Sequence, residues 1–320
     1  MALAPNAERI ADRLDGILFF PVTAFDAKGT LNLGVYREHV RQRVGDGPAA
    51  VFAACGTGEY PALDLDEYRS CVAAAVEEAA GRVPVVAGVG HGTALAVQFV
   101  RAAEEAGADG LLVLPPYLVQ AGQAGLLRHY LTLADATDLD QIIYLRDNAV
   151  ITPATAVELA RHPRIVGLKD GVGDIDLMQR IMGAIRSDGN ELLFINGLPT
   201  AEMTALAYRG IGVEAYSSAV FCFAPRISLA FFRALRSGDD ATARELLDGF
   251  YQPLVELRTR GSGYAVSLIK AEVRRAGLDV GEVRPPLAEP TPAHLAELAA
   301  VVDRGHAIAD AIEARTGGAR

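Results

Sequence analysis

The sequence predicts an α/β fold, a (β/α)8 TIM barrel of parallel strands with an appended C-terminal helical segment. Three observations lead there. Short apolar runs alternate with helix-like segments through the first 236 residues, there are eight such runs, and none shows the strict polar alternation of a half-solvated strand. Eight strand–helix units in that length match the count and size of the barrel. A doubly wound sheet is the competing architecture built from the same units.

In chain order the runs are Gly16–Phe25, Ala50–Gly58, Val83–Gly90, Gly110–Pro116, Gln141–Asn148, Ile165–Gly171, Leu192–Leu198 and Gly212–Phe221. Helical patterns separate them, among them Leu33–Val44, Asp66–Ala80, Thr93–Ala106 and Pro153–Arg161. The third of these has Thr93 as its expected N-cap and a glycine stop at Gly107. Thr152-Pro153 starts the next, with proline in the first turn. Beyond Ser237 no strand pattern continues, and Asp239–Arg258, Tyr264–Ala276 and Pro292–Ala314 read as helices. The expected division is a barrel over 1–236, with 1–15 as a lead-in, and helices packed on it over 237–320.

Composition narrows the function. Forty acidic against 30 basic side chains leave a net charge of −10, and no basic run occurs, which argues against nucleic acid as a partner. The start of the chain carries Glu8, Arg9, Asp12 and Arg13, so no secretory signal is expected. Val83–Val100 is free of charges but broken by Pro84, Gly88, Gly90 and Gly92, so no membrane span is expected. Cys55, Cys71 and Cys222 fit neither a disulfide framework nor a zinc site, and suit a reducing cytoplasm. Gly88-Val89-Gly90-His91-Gly92-Thr93 resembles a dinucleotide loop, but Thr93 stands where glycine or alanine belongs and Asp109 precedes the next strand.

In a barrel, chemistry sits where the strands end. Lysine is the informative residue there, because only Lys28, Lys169 and Lys270 occur. Lys28 lies in a turn, Lys270 in a C-terminal helix from which it is expected to snorkel to solvent, and Lys169 alone lies inside an apolar strand. Period two puts Ile165, Gly167 and Lys169 on one face. A buried ammonium tends to lose its proton, and a neutral amine attacks carbonyls. The bland reading is an architectural ion pair of Lys169 with Asp170 or Glu59. Tyr144 and Arg146 share a face of the fifth strand. The phenol can donate and accept a proton or simply fill the core. The guanidinium offers a fork for a carboxylate, or pairs with Asp147 at the rim. Gly56, Thr57 and Gly58 form a plausible anion nest or merely a tight turn. Asn196 and Gly197 close the seventh run, and Ser217 and Ser218 the eighth.

Gly56-Thr57-Gly58-Glu59, Tyr144 and Gly167-Leu168-Lys169-Asp170 resemble the dihydrodipicolinate synthase / N-acetylneuraminate lyase family, and Phe20-Pro21-Val22-Thr23 and Leu114-Pro115-Pro116-Tyr117 fit it too. The resemblance covers the barrel and extends into the C-terminal helices. It implies a Schiff base on Lys169, Tyr144 as the proton-shuttling phenol, and the Gly56-Thr57-Gly58 backbone with the Thr57 hydroxyl holding the carboxylate beside a ketone. Departures from the synthases stand at Gly56 for a threonine, Leu118 for a second tyrosine that reaches a neighbouring subunit, and Ala149 for an arginine. A Thr–Tyr–Tyr relay is therefore incomplete. Within the family the stretches Tyr144–Ala149, Gly167–Asp174, Asn196–Thr200 and Ala215–Ala219 resemble a decarboxylating sugar-acid dehydratase.

That branch implies a small dicarboxylic keto-acid substrate, loss of water and carbon dioxide, a homo-oligomer, and no metal or organic cofactor, since the lysine supplies the electron sink. Arg146, about 6–7 Å beyond Tyr144 along the strand, is expected to meet the distal carboxylate, aided by Asn196, Ser217 and Ser218. The alternatives are an aldolase-type lyase of the same family and a sugar-acid-binding barrel without turnover.

Overall fold

The computed structural model describes residues 10–317; the first nine residues of the expected lead-in, with the expectation of no secretory signal there, and Gly318–Arg320 fall outside the described residues. Eight parallel strands close on themselves in sequence order: β1 (Leu18–Phe19), β2 (Ala50–Ala53), β3 (Val85–Val89), β4 (Gly110–Val113), β5 (Asp140–Leu145), β6 (Ile165–Asp170), β7 (Leu193–Asn196) and β8 (Ala215–Ser218). β1 pairs with both β2 and β8, Leu18 standing opposite Ala50 on one side and Ser217 on the other. The apolar runs in the sequence overshoot these strands because the chain continues beyond the last ladder pair, buried and mostly apolar after β1 at Phe20–Phe25 but polar after β5 at Arg146-Asp147-Asn148.

Alternate side chains of the strands fill the interior. Leu18, Phe52, Val86, Leu112, Ile142 and Ile195 form one buried cluster. The intervening residues pack outward against the helical ring in a second, larger one. Ile10 and Leu14 of the lead-in join the interior cluster, and the Ile10 N–H donates to Asp140 at 3.1 Å. Gly110 lets Ile10 approach, since a Cβ there would lie 2.7 Å from Ile10 Cδ1.

The outer ring is α1 (Leu33–Gly45), α2 (Leu65–Ala79), α3 (Thr93–Glu105), α4 (Gln123–Ala134), α5 (Pro153–Ala160), α6 (Ile175–Ser187), α7 (Ala205–Gly210) and α8 (Pro225–Ser237). Asp64 caps α2 in a reciprocal capping box with Glu67, and Thr152 caps α5 by accepting from Thr155 N–H. Thr93 is not the cap of α3. Gly92 holds that position, while the Thr93 hydroxyl lies 2.8 Å from His129 Nδ1.

A further correction concerns β6. The β5–β6 register shifts so that Gln141 faces Ile165 while Ile142 faces Gly167, which leaves Val166 as an extra residue. Val166 joins the interior cluster and Ile165 the outer one. Ile165 therefore does not share a face with Lys169; strict alternation fails at the bulge and holds only from Gly167 onward.

After α8 come α9 (Asp240–Leu246), a π-turn at Leu247–Tyr251, α10 (Gln252–Arg258), α11 (Tyr264–Arg275) and α12 (Pro292–Gly317). α12 lies against α8, α9, α10 and α11. No described helix is long and apolar enough to cross a membrane.

Candidate active site

At the C-terminal end of the strands a cavity of about 280 Å3 opens, with Lys169 in its wall. The bulge and the last turn of the ladder place Lys169 one residue before the end of β6, opposite Tyr144 on β5 and Ile195 on β7. Its side chain is 4% exposed. The ammonium nitrogen stands 4.2 Å from the centroid of the Tyr144 ring and 4.4 Å from that of Phe20. Burial pulls the Lys169 pKa below the usual lysine range.

Neither carboxylate offered as an architectural partner is used that way. Asp170 accepts from the Tyr208 hydroxyl and from Val172 N–H, and Glu59 is bound elsewhere. Two glycines make room for the pair: a Cβ on Gly197 would lie 2.5 Å from Lys169 Cγ, and one on Gly171 would lie 2.7 Å from the Tyr144 ring. The Tyr144 hydroxyl donates to the Gly197 carbonyl at 2.7 Å and lies 3.5 Å from Arg146 Nη1. Arg146 also pairs with Asp147 at 3.2 Å, so both readings of that residue have a contact.

Gly56 and Thr57 line the cavity from the β2 loop. Their N–H groups donate to no protein acceptor among the described residues. Gly58 lies behind them, its carbonyl accepting from the Thr23 hydroxyl at 2.6 Å. Ser217 reaches the cavity from β8. Ser218, the next residue, points to the opposite side of the strand, where its hydroxyl donates to Glu202 at 2.6 Å and meets Ser228 at 3.0 Å. Asn196 is likewise turned from the cavity. Its amide donates to Ala201 O and Thr204 Oγ1, and its oxygen accepts from Leu198 N–H, holding the turn after β7. Ser218 and Asn196 are thus corrected to supporting positions, because every polar atom they carry is engaged inside the fold.

The cavity's outer wall has no signature in the residue pattern. Leu254 and Arg258 of α10 and Tyr264, Leu268 and Ile269 of α11 line it. Lys270, next along α11, does not snorkel. It is fully buried, donating to Glu59 at 2.9 Å and to the Glu282 carbonyl at 2.6 Å. Residues Ser267 to Val273 are buried without interruption, so α11 is covered on every side and its helical period says nothing about solvent.

Glu202 also borders the cavity, fully buried, with Oε1 accepting from Ser218 and Oε2 without a hydrogen-bond partner among the described residues. Burial pushes its pKa from the usual 4.5 to about 7. The folded chain therefore keeps a proton that the unfolded chain gives up between these values, and stability falls as pH rises through that window. Glu202→Gln keeps the acceptor and cannot ionise. Relative to wild type, its melting temperature is expected to rise by a few degrees between pH 5 and pH 8, measured by thermal denaturation at both. A difference that does not change with pH would mean that Glu202 is already ionised in the fold.

Among the described residues no group of three or more His, Cys, Asp and Glu side chains could hold a metal ion. The three cysteines are buried and unpaired.

The fold and site together are those of a closed (β/α)8 barrel with a buried lysine beside a tyrosine at its mouth and two backbone N–H groups that meet no acceptor among the described residues. Residues 13–304 match the dihydrodipicolinate synthetase family, and the chain belongs to that family. It is 65% identical over 96% of its length to the "Probable 5-dehydro-4-deoxyglucarate dehydratase 1" of Streptomyces avermitilis, of which it covers 98%. It is 47% identical over 92% of its length to the protein of the same activity name from Bradyrhizobium diazoefficiens, of which it covers 93%. Among solved structures, dihydrodipicolinate synthase from Oceanobacillus iheyensis superposes with a TM-score of 0.85 at 25% identity, covering 93% of this chain and 98% of that one.

Proposed function

We propose that the protein is a decarboxylating dehydratase that converts 5-dehydro-4-deoxy-D-glucarate into 2,5-dioxopentanoate, water and carbon dioxide through a Schiff base on Lys169. The observation that carries this reading is Lys169 itself, buried without a carboxylate partner and 4.2 Å from the Tyr144 ring at the cavity wall. The activity named for the relatives supports the substrate.

The neutral amine adds to the ketone carbon, and the ketone oxygen departs as water. The iminium acidifies the neighbouring methylene. Removal of a methylene proton expels the hydroxyl one carbon further on, and the conjugated adduct accepts the electron pair released as the remote carboxylate leaves as carbon dioxide. A proton added on carbon to the resulting dienamine restores the iminium, and the enol left by the lost carboxylate tautomerises to the aldehyde. Water then hydrolyses the iminium to the ketone and the free lysine. Tyr144 is read as the group that moves the proton, since its hydroxyl bridges Gly197 O and Arg146. Gly56 and Thr57 are read as the seat of the carboxylate beside the ketone. No metal or organic cofactor enters this reading.

The reading is tested by the products. Carbon dioxide and a semialdehyde in equal amounts support it, whereas pyruvate would point to the aldolase alternative, and a bound but unchanged sugar acid to a non-catalytic barrel. Tyr144→Phe removes only a hydroxyl. It is expected to lower kcat by roughly two to four orders of magnitude with little change in substrate binding. Near-normal turnover would reduce Tyr144 to packing.

The resemblance further supports a homo-oligomer, for which Tyr117, Leu118 and Val119 offer an exposed apolar patch beside the mouth. A cytoplasmic setting accords with the three unpaired cysteines.

A further inference from the structure

We propose that Arg258 receives the second carboxylate of the substrate, the one remote from the ketone, and so sets the preference for dicarboxylic over monocarboxylic 2-oxo acids; this rests on the Schiff-base reading above. A diacid entering an acidic protein gains nothing from long-range attraction, so its second charge needs a local cation. Two arginines line the cavity together with Lys169. Arg146 follows β5, while Arg258 reaches in from α10 to the turn after β7, where its Nη1 donates to the Thr200 hydroxyl.

The two differ in what already binds them. Arg146 has Asp147 at 3.2 Å and the Tyr144 hydroxyl at 3.5 Å. Its charge is thus partly matched, and its Nη1 serves the phenol that sits over Lys169. Arg258 forms no ion pair among the described residues, and the Thr200 hydroxyl is neutral. The carboxyl that influences it most is Glu202, whose pKa burial pushes up to about 7, so that near neutrality it carries only part of a charge. Burial also draws the Arg258 pKa below the usual range, the direction expected of a guanidinium without a matching anion.

The surrounding wall is apolar, with Leu254, Leu198 and Leu268 beside it. A carboxylate arriving there would meet a planar fork in a poorly hydrated setting, where a charge-assisted bidentate contact is strongest. A cation from α10, separate from the β2 loop, gives a site with one nest, at Gly56 and Thr57, a second place for a like charge.

The test is borohydride trapping at Lys169 with two probes, pyruvate and 2-oxoadipate, which share the ketone and its neighbouring carboxylate and differ in the second one. Wild type, Arg258→Gln, Arg258→Lys and Arg146→Gln are compared by the probe concentration that gives half-maximal labelling. In Arg258→Gln this concentration is expected to rise roughly 10- to 100-fold for 2-oxoadipate and to stay unchanged for pyruvate, the loss of a charged hydrogen-bonded contact. Arg258→Lys should fall between, keeping charge without the fork. Retained pyruvate labelling itself shows that the variant is folded.

Equal weakening for both probes, no weakening for either, or selective loss of 2-oxoadipate in Arg146→Gln instead would each overturn the assignment of Arg258. Failure of wild type to label with either probe would be a different result. It would remove the Schiff-base reading, and the proposal with it.

Discussion

Lys169→Ala is expected to abolish turnover and reductive trapping while the protein still folds. The ammonium form of this side chain is disfavoured where it stands, and no ion pair is lost when it is removed. The melting temperature should therefore change little. Peptide mapping of trapped wild type should place the adduct on the peptide containing Lys169 alone. The other two lysines make this a clean experiment: Lys28 is exposed in its turn, and Lys270 is held between Glu59 and the Glu282 carbonyl. An adduct that survives in Lys169→Ala would reassign the nucleophile.

Lys270→Ala is expected to be strongly destabilising, costing about 3–5 kcal/mol, the range for stranding one member of a buried ion pair. Glu59 is 2% exposed and would keep only the Arg284 N–H, at 2.9 Å, as a donor to its second oxygen. The Phe25 ring, 4.4 Å from the ammonium, would lose one of its two cations and keep the Arg284 guanidinium at 4.0 Å. Chemical denaturation of Lys270→Ala, Glu59→Gln and the double variant Lys270→Met/Glu59→Gln measures this. The double variant should recover most of the loss, because it leaves no uncompensated charge. If Lys270→Ala unfolds at the wild-type midpoint, the pair contributes nothing net.

The barrel could be read from the sequence because parallel strands covered on both faces have a plain apolar signature, and eight of them leave few architectures open. Lys169 was legible for the same reason, as the one lysine inside such a run. What escaped was set by geometry that no period encodes. The bulge at Val166 exchanges the faces of Ile165 and Val166, since one added residue inverts alternation. Ser217 and Ser218 look equivalent as a dipeptide, yet successive strand residues face opposite ways, and only the first reaches the cavity. Asn196 looked like a free amide, but its three hydrogen bonds hold the turn after β7. The part played by α10 and α11 was hidden because helix patterns carry no statement of what the helix covers. Lys270 was misjudged with them.

The tie between Glu59 and Lys270 gives the site a history within each chain as it is made. Translation delivers the nest at Gly56 and Thr57 early, Tyr144 and Lys169 near the middle, and α11 late. β1 cannot pair with β8 until Ser217 and Ser218 have emerged, and Glu59 waits for Lys270 across 211 positions of sequence. Until then Glu59 lacks its cation, and Lys169 lacks the part of the cavity wall formed by Leu268 and Ile269. A chain that stops short of α11 thus has Lys169 and Tyr144 without that wall. The last helices to be made are the ones that complete the enclosure around the amine proposed to react.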